Sequence, residues 1–179
     1  MEDNLNNESL AKEFFLVGKL FTYPTLEMKE ELEKVVTEDS FHNILSKVDS
    51  KNIENLQGEY TRLFVSGYPS TPCPPYFSAF KTGLVVSDHT DALYDIYDKY
   101  GIEIPEGQFP DFIPILMEFM VLLLSNNQDE ESKTFYNKYI SWLSEYSQNV
   151  KRNSKMDYFN LTSEKLDSLV KISKEYFNK

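Results

Sequence analysis

The sequence is poor in the residues from which most catalytic and metal centres are built. It has one cysteine, Cys73, and two histidines, His42 and His89, among 179 residues. One thiol excludes an internal disulfide, and one cysteine with two histidines cannot close a structural zinc site. No Glu-x-x-His pair of the kind used by di-iron bundles is present, so neither a metal nor another cofactor is expected. Glycine is scarce as well. The chain has 6, and neither Gly-x-Gly-x-x-Gly nor Gly-Lys-Ser/Thr occurs, which excludes the familiar phosphate-cradling loops. Positive charge is in deficit, with 18 Lys and Arg against 29 Asp and Glu for a net charge of -11. The longest cationic run is Lys151-Arg152, so nucleic-acid binding is not expected.

Long apolar runs are missing too. The most apolar stretch, FIPILMEFMVLLL from Phe112 to Leu124, carries Glu118 inside it and falls short of the roughly 18 apolar residues of a membrane span. It reads as a buried central helix, with no stable membrane association expected. The opening MEDNLNNESL has neither the positive start nor the apolar core of a signal peptide, which points to the cytoplasm. What is present is material for a core. Hydrophobic residues at 41%, including 13 Phe and 12 Tyr, exceed what a disordered acidic chain carries. A length of 179 residues suits one domain spanning 1–179.

Helical periods run through nearly all of it. Leu10, Phe14, Val17 and Phe21 share one face of a first helix, with Asn7 or Ser9 to cap it and Pro24 to stop it. Thr25 can cap a second helix holding Leu26, Leu32, Val35 and Val36. A third gathers Phe41, Ile44, Leu45 and Val48, and a fourth aligns Ile53, Leu56, Tyr60, Leu63 and Phe64. Ser87 or Asp88 then caps a helix with Leu93, Ile96, Tyr97 and Tyr100 on one side and Gly101 placed for a left-handed end. Asp111 can cap the apolar helix, where Pro114 is tolerated in the first turn. Two amphipathic helices follow, one with Phe135, Tyr139, Trp142, Leu143, Tyr146 and Val150, the other with Leu166, Leu169, Val170, Tyr176 and Phe177. No β-period competes. The fold expected is all-α, a bundle of about eight helices.

Two irregular segments interrupt this grammar. Gly67 is followed by Pro69, Pro72, Pro74 and Pro75 and then by the aromatic stretch CPPYFSAF, while IEIPEGQFP leads into the apolar helix. Cys73 with His89 as base is a conceivable nucleophile pair, but prolines on both sides deny Cys73 the helix N-terminus that would lower its pKa. Asp111 and Glu118 are more informative, because seven residues apart on a helix they share a face, and an unpaired charge in an apolar run is costly. Either Asp111 is a cap and Glu118 has a partner such as Arg62, or the face opens onto a groove for a cationic peptide.

Four blocks in order, EYTRLFVSG (Glu59 to Gly67), CPPYFSAF (Cys73 to Phe80), FPDFIPILMEFM (Phe109 to Met120) and FYNKYISWLSEY (Phe135 to Tyr146), resemble the successive signatures of the TorD/DmsD/NarJ family of redox-enzyme maturation chaperones. The resemblance implies a TorD-like, all-helical single domain with no catalysis of its own. It implies a chaperone that binds the N-terminal leader, often a twin-arginine signal, of an apo molybdopterin-dependent oxidoreductase until its cofactor is inserted. Carried over residue by residue, it implies peptide-binding roles for Tyr76, Phe77, Ser78, Phe80, Pro110, Asp111, Phe112 and Glu118, and structural roles for Glu59, Arg62, Phe64 and Pro75. Phe77 stands where the family pattern has Glu, Phe80 where it has Tyr, and Phe112 where many members have His. A monomer or homodimer is expected. The alternatives are a helical adaptor or regulator unrelated to oxidoreductases, and a hydrolase dependent on Cys73.

Overall fold

Asn6 accepts the Ser9 amide on its side chain while Ser9 Oγ accepts the Asn6 amide, a reciprocal cap that starts α1 (Asn7–Leu20). The computed structural model describes residues 5–178. α2 (Leu26–Glu33) starts from Thr25, whose hydroxyl accepts the Met28 amide, and α3 (Asp39–Leu45) and α4 (Ile53–Tyr60) follow. Then come α5 (Phe77–Thr82), α6 (Asp88–Lys99), α7 (Ile113–Ser125), α8 (Asp129–Phe135), α9 (Leu143–Asn153) and α10 (Asp157–Phe177). Among the described residues there is no strand, only one isolated bridge. The all-α expectation is met, with ten segments instead of about eight. The proline-rich loop contains the short α5, and the helix expected through Phe135–Val150 is divided into α8 and α9.

Both α4 and α8 run directly into a single π turn, at Thr61–Val65 and at Tyr136–Ile140. The first turn carries Arg62. Its Nε and Nη2 donate to both Glu59 oxygens at 2.7 and 2.8 Å, and Nη2 also donates to the Asn153 carbonyl at 2.6 Å. Glu59, only 8% exposed, accepts the Lys155 amide as well. This forked ion pair therefore closes the α9–α10 turn onto α4. Phe64 packs edge-on to Tyr60 and Phe159 at ring distances of 5.0 and 5.6 Å.

α7 is the axis of the core, burying Ile113, Leu116, Met117, Phe119, Met120, Leu123 and Leu124. It lies close against α1 because Gly18 has no side chain: a Cβ there would sit 2.9 Å from Met117 Cβ. Gly18→Ala should therefore destabilise by about 1–2 kcal/mol, overpacking outweighing the gain in helix propensity. Urea unfolding monitored by circular dichroism measures it, and a stabilised variant would show that the two helices separate freely. No helix among the described residues is long and apolar enough to cross a membrane.

Candidate functional site

The loop from Cys73 onward is pinned to the core by its backbone. The Cys73 amide donates to Leu63 O at 2.9 Å and Tyr146 Oη donates to Cys73 O at 2.9 Å. The thiol is fully buried, and burial pushes it up to about 12. Burial therefore disfavours the thiolate that the hydrolase alternative needs. No cluster of His, Cys, Asp or Glu suited to a metal occurs among the described residues.

The two irregular segments meet. Tyr76 and Phe112 form an antiparallel bridge in which the Phe77 amide donates to Asp111 O at 3.1 Å and the Ile113 amide donates to Pro75 O at 3.0 Å. Pro75 thus presents its carbonyl to the first residue of α7. Asp111, 0% exposed, accepts the Ser78 amide on Oδ2 at 2.7 Å. Ser78 lies in the first turn of α5, whose N-terminal residue Tyr76 makes no side-chain cap, so Asp111 caps α5 from another segment. Ser87, the cap of α6, donates its hydroxyl to Ser78 Oγ at 3.0 Å. Tyr97 of α6 donates to Pro110 O at 2.9 Å. One buried polar chain thereby joins α5, α6 and the start of α7.

Burial raises the Asp111 carboxyl above its ordinary range, with the Ser78 amide and hydroxyl offsetting part of the rise. Its Oδ1 is buried with no hydrogen-bond partner among the described residues. Burial, and next the Asp111 charge, hold the Tyr97 phenol well above its usual value. Above this network sits a half-buried aromatic group. Tyr76 lies edge-on to Phe109 at 5.7 Å and beside Phe112 at 5.6 Å. Phe80 is half-buried against Trp142 at 4.8 Å.

Placement of the expected residues is uneven. Tyr76, Phe77, Ser78, Pro110, Asp111 and Phe112 come together, but the side chains of Phe77, Ser78 and Asp111 are covered. Phe77, standing where the family has Glu, packs between His89 at 5.0 Å, Tyr139 at 5.4 Å and Trp142 at 5.6 Å. An apolar residue suits that enclosed position. Asp111 is not the cap of α7, because Phe112 holds that place without a side-chain bond. Glu118 is neither buried nor partnered by Arg62: it is exposed and pairs with Lys19 of α1 at 2.9 Å. It lines a separate recess with Ile102, Ile104, Pro105 and Gln108. Its position along α7 allowed the shared face, but its partner is Lys19, supplied by α1. Sequence reasoning missed Phe109, Ser87 and Tyr97 as members of the site. Phe109 sits beside Pro110 in a quoted block, whereas Ser87 and Tyr97 carry no local signal beyond helix capping and core periodicity.

A second recess of about 330 Å³ opens between α6, α7 and α8, floored by Phe119, Leu123, Phe135 and Tyr139. Its charged rim is mixed, Lys99 and Lys138 with Glu130 and Glu131.

Comparison with known proteins agrees with this architecture. A crystal structure of a proposed redox enzyme maturation protein from Archaeoglobus fulgidus superposes with a TM-score of 0.73 and 26% identity, over 97% of this chain and 99% of that one. No curated protein sequence matches the chain significantly. The nitrate reductase delta subunit family model matches residues 27–152, a span that includes the forked pair, the pinned loop and the start of α7. The chain belongs to the nitrate reductase delta subunit family of redox-enzyme maturation chaperones.

Proposed function

We propose that this chain is a cytoplasmic chaperone, folded as one domain over residues 1–179, that binds the N-terminal leader and apo form of a molybdenum-cofactor oxidoreductase. It assists cofactor insertion and assembly before export and carries out no catalysis itself. The observation that carries this reading is the aromatic group of Tyr76, Phe109 and Phe112, half-buried and held by backbone bonds on both sides. Such a preorganised surface loses little side-chain entropy when an apolar leader segment packs on it. Asp111, Ser78 and Phe77 hold it from beneath, and Phe80 extends it toward Trp142.

Deleting the gene and assaying the host's molybdopterin oxidoreductases tests the proposal. At least one enzyme should accumulate as apo-protein lacking cofactor, and full activity of all of them would overturn it. Charge gives a second test. An arginine-bearing leader approaching a chain of net charge -11 should associate markedly more slowly at physiological salt than at low salt. Stopped-flow rates that do not change with salt would remove the electrostatic part of the reading.

A further inference from the structure

One ammonium stands between two carboxylates where α1, α3 and α10 meet. Lys165 of α10 lies 3.1 Å from Glu13 Oε2 of α1 and 2.9 Å from Oε2 of Glu38, the residue that precedes α3. The Phe41 ring of α3 lies 4.4 Å from the same ammonium. Glu13 and Lys165 are mostly covered, with side chains 20% and 17% exposed. Two acids and one base leave an excess negative charge where solvent screens it poorly, and carboxylates that share a site hold one proton more firmly than a lone carboxylate does. Glu38 is committed to this site. It makes no side-chain cap to its own helix, and its Oε2 also accepts the Ser40 hydroxyl at 3.3 Å.

No further charge balances the pair. No residue three or four positions from Glu13 on α1, or from Lys165 on α10, is charged. Lys34, just past α2, and Asp39 and His42 of α3 are exposed and join no ion pair among the described residues. Burial, and next the hydrogen bond with Glu38, raise the Glu13 pKa to about 7, with Lys165 offsetting part of the rise. That same hydrogen bond is the largest cause that lowers Glu38. The shared proton therefore belongs to Glu13, which donates it to the Glu38 carboxylate.

We infer that Glu13, Glu38 and Lys165 form a clasp that closes on one proton, so that the hold of α1 and α10 on the turn between α2 and α3 depends on pH. The inference is independent of the maturation reading. Because the folded Glu13 value is raised, its contribution is complete below the ordinary glutamate range and is lost as the pH rises through the raised value. The lowered Glu38 acts only at the acid end, below that ordinary range. Above the raised value two charged carboxylates compete for one ammonium. Glu38, the more exposed at 50%, is the one that can turn to solvent, and the start of α3 loosens with it.

Carboxyl-detected NMR on protein with labelled glutamate, the Glu13 signal assigned through its backbone, reads the proton directly. Its midpoint should lie far above the ordinary glutamate value in wild type and fall by at least about one pH unit in Glu38→Gln. Amide hydrogen exchange reads the hold. Protection of the α3 amides, corrected for the intrinsic pH dependence of exchange, should be at least about tenfold greater at ~pH 5.5 than at ~pH 8 in wild type. Glu13→Gln, a neutral stand-in for the protonated acid, should lose most of that dependence, while the exposed His42 titrates alike in both proteins. An ordinary Glu13 midpoint, a midpoint that Glu38→Gln leaves unchanged, or α3 protection in wild type that is equal at the two pH values overturns the inference. The NMR arm needs no Glu13 variant, so the test stands even if Glu13→Gln fails to fold.

Discussion

Arg62→Ala is expected to destabilise the protein by about 3 kcal/mol, the largest effect of any single surface-reaching side chain here. The guanidinium reaches solvent at 31% exposure, but its partner Glu59 does not, at 7%. Removing Arg62 leaves a buried carboxylate with the Lys155 amide as its remaining donor, and it frees the Asn153 carbonyl at the end of α9. Restoring neutrality should recover most of the loss: Glu59→Gln added to Arg62→Ala lowers stability less than Arg62→Ala alone. Chemical denaturation of the two variants and wild type measures both steps. Equal stability of wild type and Arg62→Ala would show that the pair contributes nothing beyond geometry. The pair also has a pH signature. Burial by itself raises the Glu59 pKa, but the Arg62 hydrogen bonds and the Lys155 amide bring it net below the ordinary value. Its stabilisation is therefore complete above the ordinary glutamate pKa and is lost as the pH falls through the lowered one.

The second large effect belongs to Asp111. Asp111→Ala removes the acceptor of the Ser78 amide at a fully buried position and should cost about 2–3 kcal/mol. It should also loosen α5, because Ser78 is the link through which Asp111 and Ser87 hold that short helix. Asp111→Asn keeps an acceptor and discards a charge that burial disfavours, so it should remain folded with stability near that of wild type. The difference between wild type and Asp111→Asn should vary with pH in the opposite sense to Glu59. The folded pKa of Asp111 is raised, so the acid's contribution is fully present below its ordinary range and is lost as the pH rises through the raised value. A wild type that gains stability relative to Asp111→Asn as the pH rises contradicts this assignment. Leader affinity separates support from contact. If Asp111 acts only by holding Tyr76 and Phe112 in place, Asp111→Asn binds a leader peptide as wild type does and Asp111→Ala does not. A loss on Asp111→Asn with the fold intact would place the carboxylate against the ligand.

Much of this molecule was legible from local pattern. The capping residues Thr25 and Ser87, the first-turn Pro114 and the left-handed Gly101, at φ +67°, obey rules that involve neighbours a few residues away. Core residues such as Leu10, Phe14, Leu93 and Tyr97 repeat at 3.6, and one apolar face is enough to predict burial. The order of the four family signatures likewise survives in sequence because it is a one-dimensional record.

Partner identity was not recorded there. Sequence placed Glu118 in an apolar run and could not know that α1 brings Lys19 to it from 99 positions away. Asp111 read as a cap for its own helix, and it is a cap for another, 33 residues earlier in the chain. The π turns that aim Arg62 and split α8 from α9 have no composition signal, because a single inserted residue is accommodated by packing against distant helices. Periodicity therefore settled most of the inward faces, since that depends on neighbours along one helix, but not at α2, where Leu26 and Val35 were expected inward and are 39% and 45% exposed. Which buried charge meets which donor depends on how the helices cross, and only the tertiary structure decided it.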